Sequence, residues 1–164
     1  MRNIRIMYQY DGSKYYGFQR QKNKDTVQGD IEKIVFSKFN EKINMTSSGR
    51  TDRGVHALGQ VSNFSISKKI PLDAIKQQIN KTLRGRVKIL SIEEIRENFN
   101  ARFDAKRRTY LYVLKNESKI TPFEAPYVTS IKEEIDVDKL QLIFHPFIGM
   151  HDFSSFAKKD EAMR

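Results

Sequence analysis

"MRNIRIMYQYDGSKYYGFQRQKNKDTVQGDIEKIVFSKF", residues 1–39, carries two periodicities in succession. Ile4, Ile6, Tyr8 and Tyr10 fall on one side of a period-two pattern, which predicts a strand. "DGSKYYG", residues 11–17, is rich in Gly, Ser and Asp and reads as a turn. From Thr26 the period becomes helical. Val27, Ile31, Ile34, Val35 and Phe39 share one face, and Thr26 is placed to cap it.

The same alternation of periods continues outward. A short strand is expected around residues 43–46, followed by a polar loop, "SSGRTDRGVHALGQ", from Ser47 to Gln60. "LGQVSNFSI" reads as another strand, with Leu58, Val61 and Phe64 apolar but the alternation imperfect. Pro71 suits the first turn of a helix, where its missing N–H costs nothing. Leu72, Ile75, Ile79 and Leu83 form that helix's stripe, Gly85 suits its end, and "VKILSIEEI" is a strand again. The order βαββαβ predicts an α+β fold: a split βαβ, ferredoxin-like half of an antiparallel sheet with helices on one face.

Residues 1–98 are therefore expected to form one ferredoxin-like half carrying the polar loop, and residues 99–164 the start of a second half that stops early. In that second part "RTYLYVLK", residues 108–115, reads as a long strand, with Tyr110 and Tyr112 on one face and Leu111 and Val113 on the other. "ITPFEAP" is a loop. Val137, Leu140, Ile143, Phe144 and Phe147 make a third helical stripe with Asp136 as its cap. No strand is expected after "GMHDFSSFAKKDEAMR".

Composition narrows the functional classes. The 164 residues suffice for one domain with a moderate core. The net charge is +10, which favours a polyanionic partner, phosphate backbones being the commonest. No long apolar run, lipidation signal or Trp-anchored basic helix supports a membrane partner. The absence of cysteine excludes disulfides, thiolate nucleophiles and Cys-based zinc sites, and a cytoplasmic protein is the simplest expectation.

Two clusters carry the candidate chemistry. Asp52 stands between Arg50 and Arg53, with Gly49 and Gly54 outside them. Opposite charge beside a carboxylate favours its ionised form, which serves as nucleophile or base. The same residues also fit an Asx-turn that merely organises the loop. In the second cluster, Arg102, Lys106, Arg107 and Arg108 alternate with Phe103, Tyr110 and Tyr112. Cations on phosphates and aromatics on exposed bases are how unstacked nucleotides are held. A half-buried strand with a wet basic face explains the pattern equally well. His56, His145 and His151 lack metal-ligand spacing, so no metal site is expected. His56 reads as a base near Asp52 or, more simply, as a residue that orients the loop. No Walker loop or G-x-G-x-x-G is present.

Five segments in order resemble the TruA family of tRNA pseudouridine synthases across essentially the whole chain. They are "YDGSKYYGFQRQ", with Phe18 where Trp is usual; "TVQGDIEKIV"; "GRTDRGVHALGQV", like the signature G-R-T-D-x-G-V-H-A; "FNARFDAKRRTYLY", like F-H-A-R-F followed by R-x-Y-x-Y; and "GMHDFSSF", like G-x-H-D-F-x-x-F. Asn100 stands where the family usually has His and cannot titrate. The chain also stops where the family continues with further strands and a helix.

The resemblance implies roles for matching residues. Asp52 corresponds to the catalytic aspartate, Arg50 to the arginine that pairs with it and helps extrude the target nucleotide, and Tyr110 to the tyrosine that stacks on the target base. It implies a homodimer that needs no metal or cofactor and isomerises uridine in the anticodon stem-loop of tRNA, at positions 38 to 40. That chemistry would explain a single acid in a basic, glycine-flanked loop. The base leaves ribose C1′ through N1, turns, and returns through C5, so nothing departs with it. Attack at C1′, addition to C6 and removal of the 2′ proton each require one ionised acid. The competing expectations are a non-catalytic RNA-binding module or an inactive truncated synthase. An Asp-dependent phosphotransferase or nuclease would need clustered carboxylates for Mg²⁺, and Asp52 stands alone in its loop.

Overall fold

The computed structural model describes residues 1–156. The first compact unit runs from Met1 to Leu111 and a second begins at Tyr112. In the first, strand β1 (Arg2–Tyr10) leads through a short 3-10 turn into helix α1 (Val27–Phe39). Strand β2 (Thr46–Ser47), strand β3 (Ala57–Ile66), helix α2 (Leu72–Thr82) and strand β4 (Val87–Ile95) follow. The sheet order is β2-β3-β1-β4, with every neighbouring pair antiparallel. This is the expected ferredoxin-like arrangement, in which the two helices return the chain to the same side.

Local signals start and stop these elements. Thr26 Oγ1 accepts the N–H of Gly29 at the start of α1, and Asn40 ends it in the left-handed conformation at φ 50°. Pro71 sits at the cap position of α2 rather than inside its first turn. Ile4, Ile6, Tyr8 and Tyr10 point from β1 to the helices, where Val27, Ile31, Val35, Ile75 and Ile79 cover them. Fully burying one such aliphatic side chain stabilises the fold by roughly 1.5–3 kcal/mol. Glu32, a buried acid on α1, is matched by Arg20, Gln28 Nε2 and Met45 N, so its burial leaves no lone pair stranded.

The other face of the sheet is crossed by the chain that leaves β4. Asn3 donates to the carbonyls of Arg96, Glu97 and Phe99. Asn63, opposite Arg5 on β3, donates to Phe99 O and accepts from Ala101 N. Arg5 lies 5.8 Å above the Phe99 ring. Two asparagines thus hold the segment bearing Arg102 flat against the sheet.

The second unit is lightly built. Strands β5 (Leu114–Asn116) and β6 (Thr129–Ile131) pair in parallel. Helix α3 (Val137–Phe144) is capped by Asp136, which accepts from Lys139 N, as its spacing predicts. The long strand expected over residues 108–115 is not formed: only its last two residues enter β5. Among the described residues, the backbone of 105–112 makes no hydrogen bond, and the side chain of Arg108 is bound elsewhere. Alternation without a partner strand does not make a strand.

Candidate functional site

The loop between β2 and β3 is held from below by the core. Tyr8, Tyr10 and Phe18 form an aromatic row with ring centroids 6.1 Å apart. Two of its hydroxyls reach up to the loop. Tyr8 bonds Ser62 Oγ at 2.8 Å, which bonds Ser47 Oγ at 2.6 Å. Tyr10 bonds Thr51 Oγ1 at 2.8 Å. Burial pushes both phenols above their ordinary range, most strongly Tyr8, so they serve as neutral struts.

Gln60 fixes the loop's first residues. Its Oε1 accepts from Ser48 Oγ at 2.8 Å, and its Nε2 donates to Gly49 O at 2.9 Å. Ser48 N–H continues the ladder to Val61 O. Gln60 and Ser62 occupy the buried face of β3, which is why that strand's apolar alternation is imperfect. A bulge adds to this: Tyr8 pairs with Gln60 but Tyr10 with Ala57, leaving Leu58 exposed.

The segment before α1 supports the second half of the loop. Phe18 N–H donates to Thr51 O at 3.0 Å. Gly12 lies so close beneath Val55 that a Cβ there would stand 2.0 Å from the Val55 carbonyl oxygen. Gly17, at φ 109°, passes under Thr51–Arg53. His56 Nδ1 is 3.2 Å from both Gly12 N and Asp11 Oδ1, which places it at the loop's exit. Burial acts to raise Asp11, but hydrogen bonds from Ser13 and the nearby His56 outweigh it and hold that carboxyl below its usual value.

Asp52 itself is exposed at the top of this scaffold. Val55 N–H closes a turn onto its carbonyl at 3.3 Å. Among the described residues neither neighbouring arginine closes an ion pair with it. Arg53 lies over the Tyr16 ring at 4.7 Å. Arg50 lines a cleft of about 290 Å³ together with Phe18, Arg20, Gln28, Ser47 and Arg102. The pairing of Arg50 with Asp52 is thus not formed here. The cleft instead brings Arg50 together with Arg102, the arginine of the second cluster.

Tyr110 is 73% exposed, in the stretch without regular structure. Two residues earlier, Arg108 donates from Nε and a terminal nitrogen to Ser48 O, at 2.9 and 2.6 Å. Sequence reasoning found the loop but missed Gly12, Gly17, Gln60 and Ser62. Two glycines bracketing "DGSKYYG" were a signal of close backbone approach. Two polar residues on one face of an otherwise apolar strand were a signal of buried hydrogen bonding.

No group of three or more His, Asp or Glu able to hold a metal occurs among the described residues, and no helix there is long and apolar enough to cross a membrane. Residues 6–104 match a family model described as tRNA pseudouridine synthase. Over 160 residues the chain is 41% identical to tRNA pseudouridine synthase A of Caldicellulosiruptor bescii, covering 98% of this chain and 66% of that one. It is 42% identical over 158 residues to the protein of that name from Dictyoglomus thermophilum, covering 95% and 64%. With the Borrelia turicatae protein of that name it shares 39% over 157 residues, covering 96% and 64%. The chain therefore spans just under two thirds of the length of these relatives.

Proposed function

This chain belongs to the tRNA pseudouridine synthase family, and from that premise we propose that it isomerises uridine to pseudouridine in tRNA with Asp52 as the catalytic aspartate. The observation that carries the reading is the loop's construction. Ser47, Ser48, Gly49 and Thr51 are each tied to the sheet or its aromatic row, while Asp52 is left exposed, two positions after Arg50, which lines a cleft with Arg20 and Arg102. A loop that only shaped itself would spend its carboxylate on its own backbone.

The target proposed is the anticodon stem-loop, at positions 38 to 40. A base in a stem must leave its stack, at a cost of about a few kcal/mol. Arg50 takes the vacated space or a phosphate, and Tyr110 stacks on the extruded ring. Asp52 then works on the nucleotide as the N1–C1′ bond breaks, the base turns, and the C5–C1′ bond forms, with C5 giving up its proton and N1 taking one up. Net charge of +10 supplies attraction to the backbone that is largely blind to sequence. A cytoplasmic homodimer is the proposed working form, its mass measurable by light scattering.

Tritium release from tRNA transcripts labelled at uridine C5 tests the reading. Release by the unaltered chain, and its loss in Asp52→Asn with tRNA still bound, is the expected result. Release that persists in Asp52→Asn overturns the assignment of Asp52. Binding without release by the unaltered chain overturns the activity and leaves an RNA-binding module or an inactive synthase.

A further inference from the structure

Every polar group of Ser48 is engaged. Its N–H meets Val61 O, its hydroxyl meets Gln60, and its carbonyl receives the fork of Arg108. The first two partners belong to β3. The third comes from a segment that is otherwise loose: among the described residues, 105–112 form no backbone hydrogen bond. A weaker bond of 3.4 Å from the same guanidinium reaches Arg102 O, so one side chain touches the loop, the cleft-lining segment and its own strand of chain.

We infer that Arg108 is a positioning residue for the isomerisation. It fastens the segment bearing Tyr110 to the first residues of the loop bearing Arg50 and Asp52. The inference rests on the proposed activity for its kinetic consequence but not for its structural one. Arginine is required here for shape, since only a planar fork brings two N–H groups onto one carbonyl oxygen. A phosphate contact, the obvious alternative for an arginine in a basic cluster, draws chiefly on charge, which lysine also supplies as a point charge.

Arg108→Lys separates the two roles because it keeps the charge and loses the fork. Arg108→Gln loses both. Positioning predicts that both variants lower kcat by about 10- to 100-fold, a misplacement effect. It also predicts that Arg108→Lys leaves KM, tRNA affinity and its salt dependence within about twofold of the unaltered chain. Deuterium uptake without RNA is expected to rise in both variants at Ser48, whose N–H meets Val61 O, with the rest of the sheet's protection unchanged. A phosphate contact predicts a different pattern: the loss falls on tRNA affinity with kcat kept, modest in Arg108→Lys and larger in Arg108→Gln, which also reduces the salt slope by about 0.7–0.9. That result, or unchanged uptake in both variants, overturns the inference. Should the unaltered chain convert no uridine, the proposed activity fails, and the uptake arm still decides whether the fork holds the loop's first residues on the sheet.

Discussion

From Ile4 to Ile89 the first unit buries a continuous apolar set, whereas from Tyr112 onward no side chain is buried among the described residues. The first unit is held by burial and uses polar bonds to aim its loop. The second is held by short-range polar devices: Asn116 and Asp136 cap turns, and Lys115 meets Glu124 at 2.6 Å. Its aromatics form a surface cluster in which Phe147, Phe153 and Phe156 have centroids 6.1–6.2 Å apart. Burial scales with area, while an exposed ion pair is worth little. The difference teaches where mutations should register. Stability belongs to the sheet unit, and the second unit changes locally.

The largest contrast is in core truncation. Ile6→Ala, at a fully buried site, is expected to cost about 2–5 kcal/mol in urea unfolding. Leu142→Ala, on a residue 75% exposed, is expected to stay within about 0.5 kcal/mol. Equal costs would break the comparison.

Next is Gly12→Ala. The added Cβ meets the backbone of Val55 at 2.0 Å, so the loop's second half must move. An overpacking cost of about 1–3 kcal/mol is expected, with uridine conversion falling more than stability alone explains. Retained conversion would show that the loop does not depend on this close approach.

The smallest effect is titration in the second unit. The hydrogen bond from Lys115, followed by those from Thr121, pulls Glu124 down to about 2 from an ordinary 4.5. A depressed folded value means its contribution is full above about pH 4.5 and is lost as pH falls through about 2. Carboxyl NMR should show a midpoint near the lower value, returning upward in Lys115→Met, with the sheet unit's resonances unmoved.

The sheet was readable because its elements satisfy local and global demands together. Ile4, Ile6, Tyr8 and Tyr10 alternate, Thr26 caps, and Ile75 and Ile79 face the core, as their spacing implies. Reading failed where a residue's role depends on a distant partner. Tyr110 and Tyr112 alternate with Leu111 and Val113, but no strand edge lies alongside, and Arg108 is spent on Ser48, sixty positions away. Gln60 and Ser62 looked like defects in β3 and are instead the loop's anchors. The exposed placing of Asp52 in a glycine-flanked loop was legible from its setting. The place of Arg50, in a cleft with Arg102, was not, because the two are brought together by the fold across fifty-two positions of sequence.

The measurement that bears most directly on the account is single-turnover conversion by Asp52→Asn at saturating tRNA, with the dissociation constant measured alongside. The account predicts a rate lower by at least about 100-fold, as for loss of a positioned acid or base, with affinity within about twofold. A rate near that of the unaltered chain, or a loss of affinity that matches the loss of rate, would contradict it.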